Sequence, residues 1–160
     1  MALLKRNFFF CKGFTTVELL LVLGIVVLLA AGAVPLMRLQ TSSRLNDASS
    51  EIVQLIRMAR VRARSGLGDA DHGVFFNANP GVSDTVILYR GPSYASRISA
   101  FDRMVSFSDS LEISTTIEMN DTNFSKGTGV PSSAGDVLIS HSVGGTRTIT
   151  VNEAGMVEER

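Results

Sequence analysis

The sequence holds a single cysteine, Cys11, two histidines, His72 and His141, and no tryptophan. A disulfide framework needs paired cysteines and a structural zinc site needs about four nitrogen or sulfur ligands, so both classes are excluded. Cys11 follows only the short apolar run Phe8-Phe9-Phe10, too little for a lipoprotein-type signal. Net charge is absent as well: 15 cationic side chains balance 15 acidic ones over 160 residues. Also missing are Gly-x-Ser-x-Gly, His-Glu-x-x-His, a P-loop, the Rossmann glycine pattern, and any internal repeat of 20 to 50 residues. What is present, 45% hydrophobic residues, is too apolar for a disordered tail and suits one ordinary domain.

The charge balance conceals an asymmetry. Residues 1–13 carry Lys5, Arg6 and Lys12 with no acid, and residues 38–64 carry six arginines against Asp47 and Glu51. From Ser65 onward, twelve acids face six cations. A basic front and an acidic back imply different surroundings for the two ends.

From Phe14 to Met37 the only charge is Glu18, and Leu19 to Val34 is an unbroken apolar run. As a helix rising ~1.5 Å per residue, these 24 residues reach roughly 36 Å and match a ~30 Å hydrocarbon core, which predicts a membrane-spanning segment over 14–37. Lys5, Arg6 and Lys12 precede it while Arg38 and Arg44 follow, so the positive-inside rule favours a cytoplasmic N-terminus by a small margin. Three readings compete. One is a secretory signal cut after Ala33, in Ala31-Gly32-Ala33, which releases an ordinary secreted binding protein or enzyme. The second is an uncleaved anchor. The third gives Glu18 a purpose, because a carboxylate inside an apolar helix costs about 3 kcal/mol on insertion scales unless it is paired.

Lys12-Gly13-Phe14-Thr15-Thr16-Val17-Glu18, followed by Leu19-Leu20-Leu21-Val22-Leu23, resembles the class III signal of type IV prepilins and type II secretion pseudopilins. The resemblance covers residues 1–13 as a leader peptide and the whole apolar helix, with Pro35 where the family commonly kinks; Thr16 departs from it, since an apolar residue is usual there. It implies cleavage between Gly13 and Phe14 by a prepilin peptidase, N-methylation of Phe14, and Glu18 as fifth residue of the mature chain. It also implies an assembly role for Glu18, whose carboxylate would pair with the Phe14 amine of a neighbouring subunit and so offset two burial penalties. Cleavage there removes Cys11 and three cations, leaving twelve cations against fifteen acids.

Beyond Pro35 a helical period continues. Leu45, Ala48, Ile52, Leu55, Ile56, Ala59 and Ala63 recur at steps of three and four, an apolar stripe flanked by Asp47, Glu51 and Arg57, Arg60, Arg62 and Arg64. Ser65-Gly66 ends the pattern, and the late arginines suit the negative end of the helix dipole. The arginine face reads as a solvated surface that pairs with the chain's own acidic part or a neighbouring subunit; nucleic acid is an unlikely partner. DNA-binding minor pilins use Gly-Arg-x-Arg, where this chain has Gly145-Thr146-Arg147-Thr148.

After residue 72 the period becomes that of strands. Seven are predicted: 73–77, 85–90, 103–107, 111–119, 136–141, 147–152 and 156–158, with hairpin turns at Gly144-Gly145 and Glu153-Ala154-Gly155. Such short connections imply antiparallel sheet. Asn120 to Gly135 lacks any regular pattern and reads as a surface loop, and Asp69, Asp71 and His72 as part of a flexible connection without calcium-ligand spacing.

The fold class expected is therefore α+β: a long N-terminal helix, its membrane-spanning half at 14–37 and its amphipathic half at 38–65, packed on an antiparallel β-rich head at 66–160. The order of helix, His72-Gly73-Val74-Phe75-Phe76, further strands and Ile149-Thr150-Val151-Asn152-Glu153-Ala154-Gly155-Met156-Val157 is similar to the H-type minor pseudopilins. That implies a minor filament subunit of a type II secretion or type IV pilus-like machine, acting in assembly and not in catalysis, without cofactor or metal. Its implied partners are the prepilin peptidase, other pilin or pseudopilin subunits, the inner-membrane assembly platform and membrane lipid. The implied location is the inner membrane, single-pass, with the N-terminus cytoplasmic and the head outside.

Overall fold

The computed structural model describes residues 14–78 and 83–160, and of residues 31–40 the helical backbone only. The class is α+β. Helical backbone α1 runs over Thr16–Arg64, and its described side chains fall into two stretches, 16–30 and 41–64. The chain divides between Arg38 and Leu39 into two units, one holding each stretch.

The expected long helix with a membrane-spanning half is corrected by this division. Among the described residues no helix is long and apolar enough to cross a membrane. The sequence argument needed an uninterrupted span from 14 to 37, and its last third, with the kink expected at Pro35, falls where no side chain is described.

The second unit, Leu39–Arg160, is the head. Its helical stretch exists because the stripe has something to cover: Leu45, Ala48, Ile52, Leu55, Ile56, Ala59 and Ala63 are all buried in one core with strand side chains. The strands are β1 (His72–Asn77), β2 (Thr85–Arg90), β3 (Arg103–Ser106), β4 (Leu111–Thr115), β5 (Asp121–Phe124), β6 (Gly135–His141), β7 (Thr146–Val151) and β8 (Val157–Glu159). They form two four-stranded sheets, β3-β2-β1-β5 and β4-β6-β7-β8, with every pairing antiparallel.

The two sheets meet the helix differently. In β6 and β7 alternate residues, Val137 and Ile139, Ile149 and Val151, enter the core while their neighbours face out, the pattern of a sheet covered on one face. In β2 four consecutive residues, Val86 to Tyr89, are buried. Val86 and Leu88 belong to the core under the helix; Ile87 and Tyr89 point the other way, where the segment after β2 folds back. That return is fixed by the Ile98 N–H donating to Arg90 O at 2.9 Å and by Tyr94 stacking on Phe75 at 3.7 Å between ring centroids.

Both expected hairpins form. Gly144 and Gly145 take positive φ between β6 and β7, and Gly155 does so between β7 and β8. The expected loop 120–135 is corrected in part, since its first residues are strand β5 on β1, and the expected strand 111–119 ends at Thr115.

Candidate functional site

The residues singled out in the sequence lie in the first unit. Gly13 is outside the described residues. Phe14 is exposed and precedes α1, and Glu18 lies exposed in its first turn. The Glu18 N–H donates to Thr15 Oγ1 at 3.2 Å, and Leu19 N–H to Thr15 O at 3.1 Å. Thr15-Thr16-Val17-Glu18 thus has the spacing of a capping box, with Thr15 as N-cap and Glu18 as third helical residue. This local role was missed in the sequence, although the Thr-x-x-Glu spacing carries it. An acid there also suits the positive end of the helix dipole. Among the described residues the Glu18 carboxylate has no ion-pair partner.

From Val17 to Leu29, eleven large apolar side chains are each 49–74% exposed, and they are nearly consecutive, so they clothe every side of the helix. A helix that is apolar all round belongs inside an apolar environment. Burying these side chains is worth on the order of 20 kcal/mol at ~1.5–3 kcal/mol each. An exposed patch of this kind marks a contact surface.

In the head, the expected arginine face is anchored in part to backbone and not to acids. Arg60 Nη2 donates to Ala154 O at 2.7 Å, and Gly127 N–H reaches the helix-end carbonyl of Ala63 at 2.9 Å. The glycines let these turns close in: a Cβ on Gly129 would lie 2.2 Å from Arg64 Cγ. The expected ion pairs between helix arginines and head acids do not occur among the described residues.

The connection after the helix is built, not loose. Asp69 pairs with Lys126 Nζ at 2.7 Å, which holds its carboxyl below the ordinary value, and Asp71 Oδ1 accepts the Lys126 N–H at 2.7 Å. His72 is buried, with Nε2 at 2.9 Å from Leu67 O. His141 caps the β6–β7 turn instead, its Nδ1 accepting the Val143 N–H at 3.1 Å.

On the outer face of β1 and β2, Tyr89 donates to Asp121 Oδ1 at 2.6 Å, and Asn123 Nδ2 donates to Tyr89 Oη at 3.1 Å and Gly91 O at 2.8 Å. Burial first, then the Asp121 carboxylate, push the Tyr89 phenol far above its ordinary pKa. Arg97 lies 3.8 Å over the Tyr94 ring and pairs with Asp102 at 2.7 Å. These groups bond each other and serve structure.

Comparison of the chain with protein-family models, with curated proteins and with solved structures gives no match.

Proposed function

We propose that this protein is a subunit, of the minor class, of a type IV pilus-like or type II secretion filament. The observation that carries the reading is the first unit: a helix end that is apolar on every side, with one acid in its first turn. Such a surface is satisfied by other helices of the same kind. Each subunit's segment packs among its neighbours, and the heads face outward. Glu18, whose carboxylate has no ion-pair partner among the described residues, is available to meet the Phe14 amine of an adjoining copy.

The second support is that the head closes its own core. The stripe from Leu45 to Ala63 is buried inside the second unit, among strand side chains of the head. Processing before Phe14 by a prepilin peptidase creates the amine that the pairing needs, and residues 12–18 have the sequence for it. The location that goes with this function is the cell envelope, with the head on its outer side; the partners are other pilin-like subunits and their assembly platform. The test replaces Glu18 with alanine. The variant is expected to be produced and processed normally yet fail to enter filaments, and unimpaired incorporation would remove the pairing role.

A further inference from the structure

We propose that the head carries a binding site for a small carboxylate, in a cavity of about 240 Å³ lined by Arg62, Leu67, Gly68, His72, Arg90 and Phe101. This goes beyond the filament reading and does not depend on it. Antiparallel register sets the site, because His72 on β1 is the direct partner of Arg90 on β2, and Arg62 comes from the last turns of the helix.

Arg90 is held there by several contacts. Its Nη2 donates to Gly68 O, and its guanidinium lies 4.8 Å over the Phe101 ring. Gly68 makes room for it: a Cβ at that position would lie 2.4 Å from Arg90 Cζ. Yet Arg90 Nε is buried with no hydrogen-bond partner. His72 is in the same condition. A carbonyl only accepts, so Nε2 carries the proton given to Leu67 O, and Nδ1 is left buried without a partner. A buried polar nitrogen without a partner costs about 1–3 kcal/mol, and here two of them belong to residues that line one cavity.

The charges select the ligand. Among the described residues Arg62 and Arg90 form no salt bridge; Asp69, paired with Lys126 Nζ, also lies within electrostatic reach of Arg90, and Asp71 accepts the Lys126 N–H. Arg62 and Arg90 place two guanidiniums, neither in a salt bridge among the described residues, at a cavity that a carboxylate fits. Leu67 and Phe101, both about half exposed, supply apolar walls for a short hydrocarbon or aromatic body. The carboxylate can belong to a free small acid or to the C-terminus of a partner chain.

The test is nuclear magnetic resonance on the full-length chain in neutral detergent, following the His72 imidazole nitrogens and Arg90 Nε–H. Benzoate stands for a free acid, N-acetylphenylalanine for a chain terminus, and benzamide for the same body without charge. The expected result is a saturable shift of both signals with at least one of the two carboxylates and none with benzamide; the tighter of the two identifies the source. Arg62→Gln, at a side chain without a partner among the described residues, should weaken binding about tenfold, the loss of one charged contact. Arg90→Lys, which keeps charge and loses the fork, should abolish it. No saturable shift with either acid, an equal response to benzamide, or unchanged affinity in Arg62→Gln overturns the proposal.

Discussion

Replacing Gly73 with alanine tests the packing of the outer sheet face at one atom. Gly73 is the register partner of Tyr89, and a Cβ built on it would lie 2.3 Å from Tyr89 Oη, 2.4 Å from Cζ and 2.7 Å from Cε1. The tyrosine cannot swing away cheaply, being 1% exposed and hydrogen bonded to Asp121 and Asn123. Overpacking of this kind costs about 1–3 kcal/mol, and giving up a hydrogen bond to a charged group costs about 1.5–3 kcal/mol. Because moving the ring relieves one cost by incurring the other, about 3 kcal/mol is the expected loss, a fall in melting temperature of roughly 10 °C for a head of this size. Thermal melts followed by near-ultraviolet circular dichroism measure it. In a Tyr89→Val background the same alanine should cost less than about 1 kcal/mol, since the clashing atoms are gone. A Gly73→Ala protein that melts with the wild type, or an equal loss in both backgrounds, would refute the close approach.

Other perturbations probe the remaining claims. Ile52→Ala or Ile56→Ala, both at fully buried positions of the stripe, should cost about 2–5 kcal/mol in denaturant melts of the head; an effect under 0.5 kcal/mol would mean the helix is not part of its core. Arg60→Ala should cost about 1–2 kcal/mol by loss of the bond to Ala154 O, again read by denaturant midpoint. The raised Tyr89 pKa sets a pH sign: the folded head keeps the phenol neutral, so this contribution is intact below ~10, the unfolded value, and is lost as pH rises beyond it. Stability followed from pH 8 to 11 should therefore fall at the alkaline end, and the fall should shrink in Tyr89→Phe.

Legibility in the sequence followed how simply each residue's burial maps onto its polarity. The stripe from Leu45 to Ala63 was readable because every member is apolar and every member is buried. Strands β6 and β7 were readable for the same reason, with period two in place of 3.6. Strand β5 was not: Asp121-Thr122-Asn123 looks like loop, yet Asp121 accepts from Tyr89, Asn123 bonds Tyr89 and Gly91, and Thr122 donates to Ser133 O at 3.1 Å. Its polar side chains are satisfied by tertiary partners that no local window contains. The division into two sheets was hidden for a similar reason, since strand order depends on long-range pairing.

The sites differ in the same way. Phe14 and Glu18 stood out because a lone acid in an apolar run is visible in one dimension, although the capping contact to Thr15 adds a local explanation for its place. Arg62, His72 and Arg90 come from a helix end and two paired strands, so only the register assembles them. The expected membrane span rested on a count of apolar residues through Met37, and side chains are described for residues 14–30 of that length.

The central claim is that this chain is a processed filament subunit, and the N-terminus of the mature protein tests it most directly. Intact mass and N-terminal peptide sequencing of the protein recovered from its native cell envelope should give a chain beginning at N-methylated Phe14. A chain that begins at Val34 would contradict the account and make the head a freely exported protein, and one that retains Met1 or Ala2 would show that the prepilin-type cleavage does not occur.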